Sequence, residues 1–346
     1  MITENKNEKL LSVVVPTYNA QAYLRDNCES FCIPEILPHI EVLIINDGST
    51  DDSLRIAEEY QRKFPESFKV YSKENGGHGS GINYGIKYAR GKYFKVIDAD
   101  DWVDRKGFIN LVKELGAGDA DIVYSGFLWA FDNGSGDITS FALKAEIKKA
   151  FEGVEYHRSY VFDEIADKLY IKMHNMTIKT GILQKNNILI DEKMYYVDSE
   201  YILYPIPYVK TVSFIEDFVY YYRIGTKGQS VDIKKMQSNE LQYDKVLSSL
   251  FSFYERLEKE IPCSPEKKSY IARIIARIIA GKAKILLSYP LSHGKKKELI
   301  AFEQNLKQKH PGIYDRNINK AIKLLRMTNY LSFSPISIMV KLFYGR

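Results

Sequence analysis

Cysteine is scarce in this chain of 346 residues: Cys28, Cys32 and Cys263 are the full complement. Three thiols so scattered cannot build a disulfide framework or a four-ligand zinc site, which points to a reducing compartment. Cys28 and Cys32 lie four apart on one helical face, and buried thiols are the plain reading of the pair. No run approaches the ~18 uninterrupted apolar residues of a membrane span. Residues 1–9 lack the basic-then-apolar pattern of a secretory signal, so the expected location is cytoplasmic. With 21 Gly and 11 Pro there is no collagenous or low-complexity bias. What is there is an ordinary globular composition, 45% hydrophobic and 27% charged, long enough for about two domains and unusually rich in Tyr, with 26.

The net charge of +5 hides an asymmetry. Residues 261–346 hold 17 Lys/Arg against 4 Asp/Glu, a net +13, whereas residues 1–260 hold 32 against 40, a net −8. Tail and body therefore face different partners, or each other.

Over the first 130 residues two periods alternate. Residues 11–16 (Leu-Ser-Val-Val-Val-Pro) form a short β-branched run of the kind buried on both sheet faces. Residues 41–46, 68–72, 93–97 and 121–125 repeat it, and helix-like segments at 22–31, 51–63 and 82–90 lie between, the second with Ser49, Thr50 or Asp51 available as N-cap. This order predicts an α/β fold with a mostly parallel sheet flanked by helices. Ligands of such sheets bind at the carboxyl ends of the strands. Four polar loops fall there: Pro16-Thr17-Tyr18-Asn19, Asp47-Gly48-Ser49-Thr50-Asp51, Lys73-Glu74-Asn75-Gly76-Gly77 and Asp98-Ala99-Asp100-Asp101.

Asp98 and Asp100, one residue apart, can turn two carboxylates toward one hard cation and its bound phosphates. A solvated acidic turn before Trp102 is the plain alternative, as good turn chemistry is for Asp47. Their joint occurrence on one sheet edge favours a site. The run Gly76-Gly77-His78-Gly79-Ser80-Gly81 follows a strand and precedes a helix, but Tyr84 stands where a dinucleotide fingerprint needs its third Gly, and no Gly-Lys-Ser/Thr completes a P-loop. The expectation is that it lets backbone approach a sugar or pyrophosphate closely.

These motifs, together with Val13-Val14-Val15 and the stretch Asn83-Tyr84-Gly85-Ile86-Lys87-Tyr88-Ala89-Arg90-Gly91-Lys92-Tyr93, resemble the family 2 inverting glycosyltransferases of the GT-A fold, bacterial enzymes that build capsule, exopolysaccharide and cell-wall glycans. The resemblance implies a Rossmann-like nucleotide-sugar half at 1–130, an acceptor half at 131–235, and here a basic helical region at 236–346. It implies that Pro16, Thr17, Tyr18, Asn19 and Asp47 hold the base, usually uracil. Lys73, Asn75, Gly76 and Gly77 would line the nucleotide pocket, with Asp98 and Ala99 at the ribose and donor sugar and Asp100 on a Mn²⁺ or Mg²⁺. Relatives usually carry Ser-Ala-Ala-Arg-Asn after the glycines, so His78 stands in for a missing Arg.

In the second half, Met194-Tyr195-Tyr196-Val197-Asp198-Ser199-Glu200 is similar to the family segment ending in Glu-Asp, which makes Asp198 the base and Glu200 the reserve on the acceptor side. An inverting transfer needs one such carboxylate to take the proton of the attacking hydroxyl. Tyr220-Tyr221-Tyr222-Arg223 followed by Lys227 matches a strand and loop that bring cations to the diphosphate; by periodicity alone the tyrosines read as an edge strand. His174-Asn175 corresponds to a family Trp-Asn pair near the acceptor.

The implied partners are a nucleotide-diphosphate sugar, most simply a UDP-sugar, and a glycan or lipid-linked acceptor. Other readings are a pyrophosphorylase, which would want a Gly-rich, Arg/Lys-bearing loop where residues 16–19 stand, and a non-catalytic glycan-binding subunit. The tail is helical, with Ile271, Ile274, Ile275, Ile278 and Ile279 on one face. Its lysines and the apolar 330–343 suggest attachment to an anionic inner leaflet, against packing into the protein's own core. An oligomer is compatible with the sequence, and nothing in it matches a nucleic-acid recognition motif.

Overall fold

The computed structural model describes residues 8–134, 136–225, 229–230 and 232–344. The chain divides into two compact units, residues 1–227 and 228–346.

The first unit is built on one ten-stranded sheet: β1 Leu11–Thr17, β2 Ile40–Asp47, β3 Phe68–Lys73, β4 Tyr93–Val96, β5 Trp102–Val103, β6 Ile122–Asp132, β7 Ile138–Ala142, β8 Ser159–Val161, β9 Met176–Lys179 and β10 Thr211–Ile224. The order is β3-β2-β1-β4-β9-β6-β10-β5, with β7 on β6 and β8 on β10. β3, β2, β1 and β4 are parallel, as the alternating pattern requires. Beyond them the sheet is mixed: β9 runs antiparallel to both β4 and β6, and β6 and β10 are parallel. The tyrosines at 220–222 therefore do not form an edge strand. Tyr220 and Tyr221 pair with β5 on one side and with β6 on the other.

Helices α1 Leu24–Phe31, α2 Ser53–Lys63, α3 His78–Tyr88 and α4 Arg105–Ala117 connect the strands, and a short helix α5 spans Asp198–Leu203. Alternation along β1 sorts them. Val13 and Val15 belong to the main core with Leu24 and Cys28 of α1, Ile56 and Ala57 of α2, and Phe108 and Leu111 of α4. Val14, on the opposite face, packs against Gly85 of α3, where a side chain would collide with it. Cys28 and Cys32 are free, as expected, and burial raises both thiol pKa values. Chain order reverses about β1, with β2 on one side and β4 on the other, and it is at the carboxyl ends of strands at such a reversal that open α/β sheets bind ligands.

The second unit is helical: α6 Glu240–Lys259, α7 Pro265–Ser288, α8 Lys295–Lys309, α9 Lys320–Met327 and α10 Phe333–Tyr344 are its longer members. Ser264 caps α7 by accepting from the Lys267 amide. Part of the basic excess is neutralised inside the unit: Lys282, buried, meets Glu240, Asp244 and Glu298, and Arg326 meets Glu303 at 2.6 Å. The apolar end of the chain divides. Phe333 and Ile336 join Leu286, Leu287, Ile322 and Leu325 in a small core, whereas Leu331, Ile338, Met339, Leu342 and Phe343 are exposed. Among the described residues no helix is long and apolar enough to cross a membrane.

Candidate active site

The strand-end loops converge, and they are tied to one another. Thr17 is buried and its hydroxyl donates back to the Val15 carbonyl. Asn19, in the left-handed region at φ 48°, donates its amide to Ser49 and accepts from the Thr50 amide at 2.8 Å. Asp47 is almost fully buried and its carboxylate is spent: it accepts from the Gly76 amide at 2.8 Å and the Gly77 amide at 2.7 Å, and it pairs with Lys73 at 2.5 Å. Asn75 donates to the Asp47 carbonyl. The residues expected to line a base pocket are thus brought together, but the polar ends of Asp47 and Lys73 satisfy each other. Tyr18 stands open at this rim.

The acidic turn after β4 is the electrostatic centre. Asp98 pairs with His78 at 2.8 Å, and its amide donates to the Tyr220 hydroxyl. That hydroxyl donates to Asp101 at 2.5 Å, whose other oxygen accepts from the Arg223 amide at 2.7 Å. Asn27 on α1 donates to the carbonyls of both Asp98 and Asp101. Arg223 was expected to meet a diphosphate; instead it is buried, paired with Asp132 at 2.8 Å and lodged between the rings of Tyr23 and Trp102, with its Nε–H on the Asp100 carbonyl. It braces the turn from behind. Lys227 lies outside the described residues.

Of the three acids in four positions, two are raised by burial and by their acidic neighbours. Burial, then Asp98, pushes Asp100 up to about 6. Burial, then Asp100 and Asp98, raises Asp101 well above the carboxylate range. Burial works against charging His78, but Asp98, Asp198 and Asp100 outweigh it and its pKa rises. Asp98, with His78 beside it, ends below its usual value although burial works the other way.

His174 and Asn175, expected near an acceptor, are both buried. Asn175 is fully buried and folds its own turn, accepting from the Lys172 amide and donating to the Tyr170 carbonyl. His174 packs between Phe127 and Tyr222 with Tyr220 at its edge. Burial lowers its pKa to about 3, and neither ring nitrogen has a hydrogen-bond partner among the described residues. One of those nitrogens lies in a group with Asp98 and Asp101 oxygens, all within 4.8 Å of one another. Two carboxylates beside a neutral imidazole are a donor set that suits Mn²⁺ or Mg²⁺.

The candidate base opens α5. Asp198 is exposed at its rim; the surrounding protein raises its pKa, with Asp98, while His78 and Lys172 pull it back without cancelling the rise. Glu200 is fully buried, accepts from the Asp191 amide at 2.8 Å and has no partner for its second oxygen among the described residues; burial pushes its pKa to about 8.

The glycine-rich run packs closely on this segment. α3 begins at His78, so Gly79 and Gly81 lie inside a helix. Gly79 lies against the Asp191 carbonyl and Gly81 against Pro16, each leaving no room for a Cβ. Gly77, at φ 82°, lies against Lys193, whose amide donates to the Gly76 carbonyl at 2.5 Å. Asn83 completes the grip, exchanging bonds of 2.8 and 2.9 Å with the backbone of Ile190. Asn83, Asp191, Asn27, Asp101 and Asp132 are site-building residues to which the sequence reading assigned no role. Only Asn83 and Asp101 carried a signal, their place in the quoted motifs.

Residues 12–169, which span this rim and its acids, match glycosyl transferase family 2. The chain carries a family 2 glycosyltransferase domain. EpsJ of Bacillus subtilis, an uncharacterized glycosyltransferase, is 26% identical over 266 residues, 76% of this chain and 75% of its own length. GgaB, a minor teichoic acid biosynthesis protein of the same organism, is 39% identical over 102 residues, 29% of this chain and only 11% of its own. Among solved structures, residues 1–349 of TarS from S. aureus with UDP-GlcNAc align with a TM-score of 0.63 at 17% identity, covering 94% of this chain and 90% of that one. The glycosyltransferase domain thus has the GT-A fold expected from its motifs.

Proposed function

We propose that this chain transfers a sugar, with inversion, from a nucleotide-diphosphate sugar to a hydroxyl of a glycan or lipid-linked acceptor in surface-polysaccharide synthesis, on the cytoplasmic side of the cell. The observation that carries the reading is the pairing of two unlike acidic elements at one sheet edge: the turn of Asp98, Asp100 and Asp101, short of cations, and Asp198, open to solvent and coupled electrostatically to His78 and Asp98. A UDP-sugar is favoured by the TarS complex with UDP-GlcNAc, and a divalent metal by a mannosyltransferase of Pyrobaculum calidifontis solved with GDP-Man and Mn²⁺, 14% identical at a TM-score of 0.50.

Asp100 would hold the ion beside the group that Asp98, Asp101 and His174 form, and the bound ion would neutralise the diphosphate. The rest is done by the chain. The strand-end loops orient the donor, His78 offsets the charge of Asp98, and Arg223 and Asn27 fix the acidic turn. Asp198 takes the proton of the acceptor hydroxyl as its oxygen bonds to the anomeric carbon; the bond from that carbon to the diphosphate breaks, and the nucleoside diphosphate leaves with the electron pair.

A panel of nucleotide sugars assayed for metal-dependent release of nucleoside diphosphate identifies the donor. Asp198→Asn should keep donor binding and lose transfer by roughly 10²-fold or more. An active Asp198→Asn beside a dead Glu200→Gln would move the base two residues along. Donor binding with no turnover on any acceptor would favour a glycan-binding subunit.

A further inference from the structure

The helical unit ends in an outward apolar surface that its own core does not use. Leu324 and Met327 are three apart on α9, and Leu331 lies in the turn that follows; Met327 is 83% and Leu331 80% exposed. On α10, Ile338, Met339, Leu342 and Phe343 recur at spacings of one turn, with Phe343 76% exposed. Both helices are anchored from behind by one small core, through Ile322 and Leu325 of α9 and Phe333 and Ile336 of α10. The exposed side chains are therefore the outer faces of packed helices. Scattered apolar residues on a surface need no partner, but seven large ones on two adjoining segments do.

The charge along this stretch is mostly of one sign. From 304 to 344 the sequence has seven Lys/Arg and one acid, Asp315. Arg326 is tied to Glu303, but Lys307, Lys309, Lys320, Lys323 and Lys341 form no ion pair among the described residues. Lys320 and Lys323 stand one turn before Leu324 and Met327 on the same helix.

We propose that the outer faces of α9 and α10 dock this protein on an anionic lipid bilayer, with Leu324, Met327, Leu331, Leu342 and Phe343 entering the interface and the lysines over the headgroups. Charge complementarity selects this occupant. A second copy packed through the same face would bring the two sets of lysines together, an arrangement like charges oppose. The surface is independent of the transfer chemistry, and its test uses no turnover.

The test is co-sedimentation of the full chain with vesicles of phosphatidylcholine alone and of phosphatidylcholine with phosphatidylglycerol. Binding is expected to the anionic vesicles only and to weaken with salt. The pairs Met327→Ser with Leu331→Ser, and Lys320→Glu with Lys323→Glu, should each weaken it by about tenfold or more with an unchanged thermal midpoint, since all four side chains are exposed. Failure to sediment with anionic vesicles at low salt overturns the proposal, as does binding that neither pair weakens. Light scattering that shows a dimer broken by the apolar pair, with no vesicle binding, assigns the face to a second copy. Should a pair lower the midpoint, the wild-type contrast between the two vesicle compositions still decides.

Discussion

One sheet carries buried carboxylates at both ends and treats them oppositely. At the amino ends of the parallel strands, Glu41 of β2 is fully buried and accepts from the Ser12 hydroxyl at 2.6 Å, the Arg90 amide at 2.7 Å, the Gly91 amide and the Arg90 guanidinium. Both of its oxygens are answered by donors of the fold. At the carboxyl ends, Asp98, Asp100 and Asp101 crowd one turn with His78 as their one ion-pair partner among the described residues, and burial, then the neighbouring acids, raises Asp100 and Asp101. An acid that the fold completes holds the fold, and acids left short of cations are prepared for something the fold does not contain. The comparison also divides the family motif. Arg90 and Gly91 serve Glu41 at the far end of the sheet, so that part of it is architectural, while residues 98–101 belong to the site.

Removing Asp100 should have the largest effect. Asp100→Asn is expected to weaken metal-dependent UDP binding by about 10²–10³-fold, the equivalent of about 3–4 kcal/mol. It should not destabilise the protein at pH 7. A carboxyl raised to about 6 in the folded state is costly to ionise there, so the amide relieves a penalty. Calorimetry showing equal UDP affinity with and without Mn²⁺ in the wild type would sink the assignment.

Glu41→Ala should do the reverse. Stranding two backbone amides and the Ser12 hydroxyl is expected to cost about 2–4 kcal/mol in denaturant unfolding, while the fraction that folds binds UDP as before. A Glu41 variant of normal stability and lost affinity would collapse the contrast between the two ends.

Gly79→Ala sharpens the contrast inside α3. Alanine is the better helix former, yet its Cβ would meet the Asp191 carbonyl, and that segment leads to Asp198. The expected result is a loss of about 1–3 kcal/mol with transfer falling more than UDP affinity. Equal or higher stability would mean that the glycine seat carries no constraint.

The parallel strands and the acidic turn were legible because both are local signals: β-branched runs buried on two faces, and acids one residue apart. What was not legible depends on partners distant in the chain. Arg223 reads as a free cation until Asp132, 91 positions earlier, is placed beside it. The run 76–81 reads as a ligand loop because glycine lowers helix propensity, and the helix over it is fixed by packing on Pro16 and by residues 190–193, more than a hundred positions on. Tyr220 reads as one of three strand tyrosines, although its hydroxyl links Asp98 and Asp101. The burial of His174, stacked on Phe127 of β6, depends likewise on residues distant in the chain.

The smallest expected effect concerns Glu200, which lies between the two extremes: one oxygen is answered by the Asp191 amide and the other is not. Its pKa is about 8 in the folded protein against an ordinary 4.5, so between those values the folded state holds a proton that the unfolded state has released. Stability from this group is therefore full below about pH 4.5 and falls as pH rises, until the folded carboxyl ionises near 8. Glu200→Gln mimics the neutral acid, keeps an oxygen for Asp191 and cannot ionise. At pH 5 it should match the wild type within about 1 kcal/mol, and toward pH 8 it should lose less stability than the wild type. Transfer at neutral pH should survive, since the wild-type side chain is already protonated there. Parallel stability profiles for the two proteins between pH 5 and 8 would show that Glu200 is ionised in its buried site, and would return it to contention with Asp198 as the base.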